Sequence, residues 1–322
     1  MKVLGGVDIG GTKCAVVLGR TSESGVELLD KIRFPTPASP GETLDLCVRH
    51  LESLVVRAGV DRLEAVGISC GGPLDSQKGL ICSPPNLPAW DRVDVCTPFA
   101  DRFHAPVGLQ NDANACALAE WKWGAGRGTR NMVFLTFGTG MGAGLILDGR
   151  LYSGSNDMAG EVGHLRLEQE GPIGYGKLGS FEGFCSGGGI ARLARAYAQE
   201  RLASGEQVAF CKTLADLDDI TAEKVGLAAQ AGDEDARRVW EVVGRQLGRG
   251  LALVVDILNP ERIVIGSIYA RQQQLLEPIA MGELQREALA TSLAVCSVVP
   301  SELGERVGDF ASLSVAMYAL ER

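Results

Sequence analysis

Two stretches of this sequence share one pattern: an apolar run, a glycine-rich turn and a second apolar run. VLGGVDIGGTKCAVVLG starts at residue 3, and MVFLTFGTGMGAGLILDG starts at residue 132. Short apolar runs bounded by glycine read as strands. The pattern therefore predicts a strand–turn–strand unit used twice, and a fold assembled from two related halves. Between and after these units lie helical stretches and further buried strands, which points to α/β architecture.

The turns hold more chemistry than a hairpin needs. The first reads D-x-G-G-T-K, with Asp8 before Gly10 and Gly11, and Thr12 and Lys13 after them. Consecutive amides in a glycine turn form a concave positive nest, and a hydroxyl and an ammonium suit phosphate oxygens. The second turn repeats the device through Gly138, Thr139 and Gly140, without a lysine. Neither is a P-loop or a dinucleotide fingerprint, because each joins two strands rather than a strand and a helix. As a pair they are expected to grip one nucleoside triphosphate from two sides.

The first strands are expected at residues 3–8, 14–18 and 27–34. SPGE at residues 39–42 has the form of a capping box with Pro40 at the first helical position, and Leu44, Val48, Leu51, Val55 and Ala58 then mark one helix face. AVGIS (65–69) reads as a buried strand, followed by a Pro/Gly-rich loop region over 70–90. PVGLQND (106–112) ends a strand in polar residues, and ANACALAEWKW reads as the helix that leaves it. Later elements are a long helix over 233–258, strands RIVIG (262–266) and AVCSVV (294–299), and a closing helix GDFASLSVAMYAL. The domain division expected is 1–115 and 116–322, with the last helix, about 308–322, packing back on the first lobe.

Composition narrows the function. A formal charge of −9 disfavours a nucleic-acid groove or an anionic membrane as the main partner, while leaving room for small anions in a local positive field. Nine scattered cysteines without C-x-C or C-x₂-C spacing show neither zinc knuckle nor redox motif and fit a reducing compartment. No signal peptide is expected, and LALVVDIL is too short and too interrupted to span a bilayer. The expected location is the cytoplasm.

DIGGTK, SCGGPLD (69–75), PPNLPAW (84–90), NDANACALAE (111–120), FGTGMG (137–142), GEVGH (160–164) and NPERIVIG (259–266) occur in that order. In this the chain resembles the ROK family of sugar kinases, over about residues 3–317. The resemblance implies an actin-like, ribonuclease-H-like ATPase fold, with ATP and sugar in a cleft between two lobes. It implies Asp8, Gly10, Gly11, Thr12, Lys13, Gly138, Thr139, Gly140 and Gly266 at ATP, with a magnesium ion near Asp8. Asp112 would be the catalytic base, taking the proton of the attacking hydroxyl as the catalytic-loop aspartate of protein kinases does. Gly72, Asn86, Asn111, Asp112, Glu161, His164 and Glu182 would bind sugar. The Asn111-Asp112 pair also fits an N-cap, which can coexist with catalysis, and the Asn111 amide offers both donor and acceptor. A homodimer is the family expectation.

Two departures matter. Many relatives carry C-x-C-G-x-x-G-C-x-E after the histidine, where three cysteines and that histidine bind structural zinc. Here Ile173, Tyr175 and Ser180 replace the thiolates, and one histidine alone cannot hold zinc tetrahedrally. No zinc is expected, and the loop is expected to keep its shape by apolar packing of Ile173, Tyr175 and Phe181. The late strand continues as VIGSIYAR where relatives have more glycine, so Ser267 or Tyr269 could alter nucleotide contacts. Residues 186–189, S-G-G-G, could present amides to the nucleotide or be a connector. The expected reaction is transfer of the ATP γ-phosphoryl to the C6 hydroxyl of glucose. N-acetylglucosamine or N-acetylmannosamine are alternatives, as is an inactive sugar-binding protein. A repressor of this family is disfavoured by the charge and by a first strand that begins at residue 3.

Overall fold

The structure is a computed structural model that describes residues 1–22 and 25–321. Strands β1 (Val3–Ile9), β2 (Lys13–Ser22) and β3 (Gly25–Pro35) form an antiparallel meander, with Val7 opposite Val16 and Asp8 opposite Ala15. Helix α1 (Pro40–Arg57) follows, with Ser39 at its N-cap and Pro40 in the first turn. The expected capping box does not form, because the Ser39 hydroxyl makes no cap bond. The first turn is closed instead through Thr43, whose amide and hydroxyl both donate to the Ser39 carbonyl at 3.0 Å. Leu44, Cys47, Leu51 and Leu54 are buried against the sheet with Val7, Cys14 and Ile68.

β4 (Ala65–Cys70) runs parallel to β1, and its six residues are all buried. The expected loop over 70–90 contains β5 (Leu74–Asp75) and β6 (Leu80–Ile81), which with β7 (Val93–Asp94) make a small antiparallel sheet. After α2 (Thr97–Phe103), β8 (Val107–Asn111) pairs parallel with β4 and leads directly into α3 (Asp112–Trp123). The sheet order is β3-β2-β1-β4-β8.

The second glycine turn joins β9 (Met132–Phe137) to β10 (Met141–Leu147), and β11 (Arg150–Tyr152) pairs back on the end of β10. A hairpin of β12 (Ile173–Gly174) and β13 (Lys177–Leu178) precedes α4 (Phe181–Phe184), α5 (Gly187–Ala203), α6 (Ala222–Gln230) and α7 (Glu234–Leu258). β14 (Arg262–Ile265) pairs parallel with β9. Then come α8 (Ile268–Arg271), α9 (Gln273–Glu287), α10 (Ala290–Leu293) and β15 (Ser297–Pro300), parallel to β14. The last strand lies later than AVCSVV suggested, since residues 294–296 follow α10 as a turn.

Two compact units result, one of Met1–Arg130, Gly144–Ala159 and Glu302–Arg322, the other of Asn131–Ala143 and Gly160–Ser301. α11 (Val307–Ala319) belongs to the first and packs on β1, β4 and α3, burying Phe310, Leu313 and Val315. Gly67 permits this approach: a Cβ there would stand 2.0 Å from the Ser312 carbonyl oxygen. Among the described residues no helix is long and apolar enough to cross a membrane.

Candidate active site

In the first unit, the carboxyl ends of three neighbouring parallel strands set the geometry. Asp8 on β1 is opposite Ser69 on β4, and Ser69 is opposite Gln110 on β8. Two strand spacings, about 10 Å, separate the outer rungs. Asp112 lies two residues beyond Gln110, at the start of α3, so the topology places two carboxylates at one edge of the sheet. Burial pushes the Asp8 carboxyl up to about 6, with the Asp112 charge adding to the effect against Lys31. Asp112 is itself exposed; local desolvation of its carboxyl raises its pKa, against the amide of Ala113, which donates to its Oδ1 at 2.8 Å.

The turn after Asp8 is exposed at Gly11, Thr12 and Lys13. Thr36 braces it: the Thr36 hydroxyl donates to the Gly10 carbonyl at 2.6 Å, and the Thr36 amide donates to Thr12 O at 3.0 Å. Gly11 lies on the backbone of Asn86, and a Cβ at Gly11 would come within 2.5 Å of the Asn86 carbonyl oxygen. The structure thus brings Gly11 and Asn86 together. Gly72, which follows β4 by two residues, is open, with nothing within 4 Å of where its Cβ would be. Asn111 is the N-cap of α3, and its Oδ1 accepts from Asn114 N at 2.7 Å. That bond takes one of the two lone pairs on Oδ1, which leaves the other and both Nδ2 donors for a ligand. Thr36 was missed in the sequence, where a threonine at a strand end carries no motif.

In the second unit the glycine turn is tied at both ends. Gly187 N donates to Gly138 O at 2.7 Å, and Met141 N donates to the Glu182 carboxylate at 3.0 Å. Ser186 caps α5, its Oγ accepting from Gly189 N at 3.0 Å, so the S-G-G-G segment is an ordered helix start and not a connector. Gly266, at the end of β14, is buried, and Ser267 follows it with φ of 54°. That is a conformation glycine adopts far more readily than serine. Ser267 Oγ accepts from Arg271 at 3.2 Å and stands 3.5 Å from where a Cβ of Gly138 would be. Tyr269 is buried just beyond it.

Glu161 and His164 are both exposed on a short turn that backs onto β10. The loop after them is not held as the sequence suggested. Phe181 is buried, but Ile173 is 50% and Tyr175 77% exposed, so neither packs it. The chain here forms the β12–β13 hairpin, whose turn residues Tyr175 and Gly176 both have positive φ, and backbone pairing sets its shape. Two reciprocal bonds pin it: Lys177 Nζ donates to His164 O and Arg166 donates to Leu178 O, each at 2.7 Å. The Tyr175 ring meets the His164 ring edge-on at 6.3 Å.

Comparison with known proteins shows the family. The ROK family model matches residues 4–314. The chain belongs to the ROK family. A glucokinase of Streptomyces coelicolor is 31% identical over 307 residues, covering 94% of each chain. A ROK family glucokinase from Streptomyces griseus, solved with glucose and AMPPNP, superposes with a TM-score of 0.74 at 28% identity, over 98% of this chain and 99% of that one. A ROK family transcriptional regulator, a homologue of the Escherichia coli MLC protein, gives a TM-score of 0.84 at 25% identity, over 99% of this chain and 78% of that one. The fold is the actin-like ATPase fold of the ROK sugar kinases.

A divalent cation can be tested against these residues. No group of three or more His, Cys, Asp or Glu able to hold a metal exists among the described residues. Asp8 offers a hard carboxylate oxygen whose negative form is disfavoured by burial, a cost that a cation would relieve. This fits magnesium, which takes one or two carboxylates together with substrate phosphates.

Proposed function

We propose that this ROK kinase moves the γ-phosphoryl of ATP to the C6 hydroxyl of a hexose, glucose before the N-acetylhexosamines. That it is an ATP-dependent sugar kinase rests on family membership and on relatives named as glucokinases. The observation that carries the finer reading is Asp112. Asp112 opens α3 with its side chain exposed, its Oδ1 held by the Ala113 amide at 2.8 Å and its pKa raised, so it can take a proton from a bound hydroxyl. Asp112 takes the proton of the attacking hydroxyl, while the Asn111 amide and the exposed backbone at Gly72 and Asn86 hold the sugar. Glu161, His164 and Glu182 are further sugar contacts of this reading. Gly10, Gly11, Thr12, Lys13, Gly138, Thr139 and Gly140 cradle phosphates, and Gly266 lies toward the nucleoside. Asp8 would hold a magnesium ion, which supplies charge neutralisation of the phosphoryl oxygens when bound. We also propose work in the cytoplasm, which suits nine free thiols, and a homodimer, which rests on resemblance alone.

The test is a coupled assay of ADP release over a panel of hexoses and N-acetylhexosamines, with ATP and Mg²⁺. Asp112→Asn is expected to lower kcat roughly a hundred- to ten-thousand-fold while sugar affinity stays within a few-fold. Near-normal turnover in that variant would remove Asp112 as the base. Selection of an N-acetylhexosamine over glucose would change the acceptor and leave the mechanism standing.

A further inference from the structure

Glu182 stands among the proposed sugar contacts, yet its carboxylate is bonded to the turn that would hold phosphate. Ser180 caps the short α4, its Oγ accepting from Gly183 N at 3.1 Å, and this places Glu182 in the first turn. From there Oε2 accepts the amide of Met141, the residue directly after the 138–140 turn, at 3.0 Å. The fit is close: a Cβ on Gly140 would stand 2.8 Å from the same oxygen. The other oxygen, Oε1, takes no hydrogen bond among the described residues.

The remaining sugar segment is built onto the same place. A Cβ at Gly163 would fall 2.1 Å from Met141 O and 3.3 Å from the Glu182 Cβ. Ala143 N donates to Gly160 O at 2.8 Å. Residues 160–164, Glu182 and the glycine turn are therefore one packed block inside the second unit, and interiors packed this closely pass on a displacement instead of absorbing it.

We propose that Glu182 couples the two substrates, one oxygen fixing the amide that closes the phosphate turn and the other meeting a sugar hydroxyl. A hydroxyl on Oε1 orders the side chain and with it the Met141 amide, so the turn meets phosphate already ordered. The same hydroxyl disperses a negative charge that would otherwise face the triphosphate. Both effects have one sign: sugar tightens nucleotide binding. Thermodynamic linkage then requires that nucleotide tighten sugar by the same factor.

This inference rests on the sugar and phosphate roles proposed above, and the experiment separates the two. Titration calorimetry with glucose and AMP-PNP·Mg²⁺ (an N-acetylhexosamine replacing glucose should the panel select one) measures each affinity with and without the other ligand. The native protein is expected to show a coupling factor of roughly five or more. In Glu182→Ala the factor falls to one. Glu182→Gln, isosteric and still able to accept from Met141 N, keeps part of it, which separates lost coupling from lost folding. In His164→Ala, sugar binds more weakly while the factor at saturating sugar is unchanged. Gly140→Ala, which pushes on Oε2 from the phosphate side, weakens sugar measured with no nucleotide present. A factor of one in the native protein, or an unchanged factor in Glu182→Ala, overturns the coupling. Sugar affinity untouched in both Glu182→Ala and His164→Ala overturns the sugar-site reading instead.

Discussion

The two glycine turns solve one problem with different materials. The first brings its own charge in Lys13 and is braced by a neutral hydroxyl, Thr36, on the adjoining β3 end. The second has no charged side chain in its turn and is braced from outside, by the Glu182 carboxylate at one end and the start of α5 at the other. A turn with its own cation can hold phosphate whatever its neighbours do. A turn whose support is a carboxylate depends on what else that carboxylate binds. The two turns thus share a backbone device but not its bracing, and under the proposed coupling the first is autonomous and the second open to control.

The comparison breaks most visibly at Lys13. Lys13→Met removes the only ammonium from either turn, and kcat/KM for ATP is expected to fall about a hundred- to a thousand-fold, the scale of a lost transition-state donor. A fall of only a few-fold would show that the first turn works as the second does, by amides alone.

Next is the carboxylate beside that turn. With its pKa raised from 3.8 to about 6, Asp8 in the folded chain binds more protons than in the unfolded chain between those limits. Its contribution to stability is therefore fully present at low pH and lost as pH rises through 6. Asp8→Asn should melt progressively above the native protein, without ligands, as pH goes from 4 to 7, the gap approaching about 2 to 3 kcal/mol. Activity should move the opposite way and rise across the same window, as Asp8 loses its proton. A constant melting gap would mean that Asp8 is not held against its charge.

On the second turn's side, Ser267→Gly should relieve backbone strain beside Gly138 and raise stability by about 1 to 2 kcal/mol in thermal unfolding. A raised KM for ATP in that more stable variant would show that the strain is retained for nucleotide binding. The smallest effect belongs to the first brace. Thr36→Val leaves Gly10 O without its hydroxyl partner, and KM for ATP should rise a few-fold, in line with about 1 kcal/mol for a neutral hydrogen bond.

The fold was legible where local pattern and tertiary role agree. Both strand–turn–strand units, the all-buried β4 and the Asp233-capped α7 follow from periodicity and punctuation, because each carries its signal within a dozen or so residues. Readings failed where a distant or competing group decided the outcome. Ser39 lost its capping bond to closure through Thr43. The 173–178 loop is set by hairpin pairing and by Lys177 and Arg166 reaching carbonyls, neither of which apolar residue types could reveal. For the site, motifs indicate which residues to examine; that Glu182 faces Met141 depends on a contact 41 positions apart, which no spacing rule contains.

The placement of α11 bears on how the chain is made. The first unit lacks the helix that covers β1 and β4 until residues 307–319 have been synthesised, whereas every residue of the second unit has been translated by 301. Domains usually complete in order from the amino end as they leave the ribosome. Here the reverse order is expected, because α11, which covers the Gly6 and Gly67 face of the first sheet, is translated last. Arrested nascent chains ending near residue 301 but clear of the exit tunnel should resist protease in the second unit before the first.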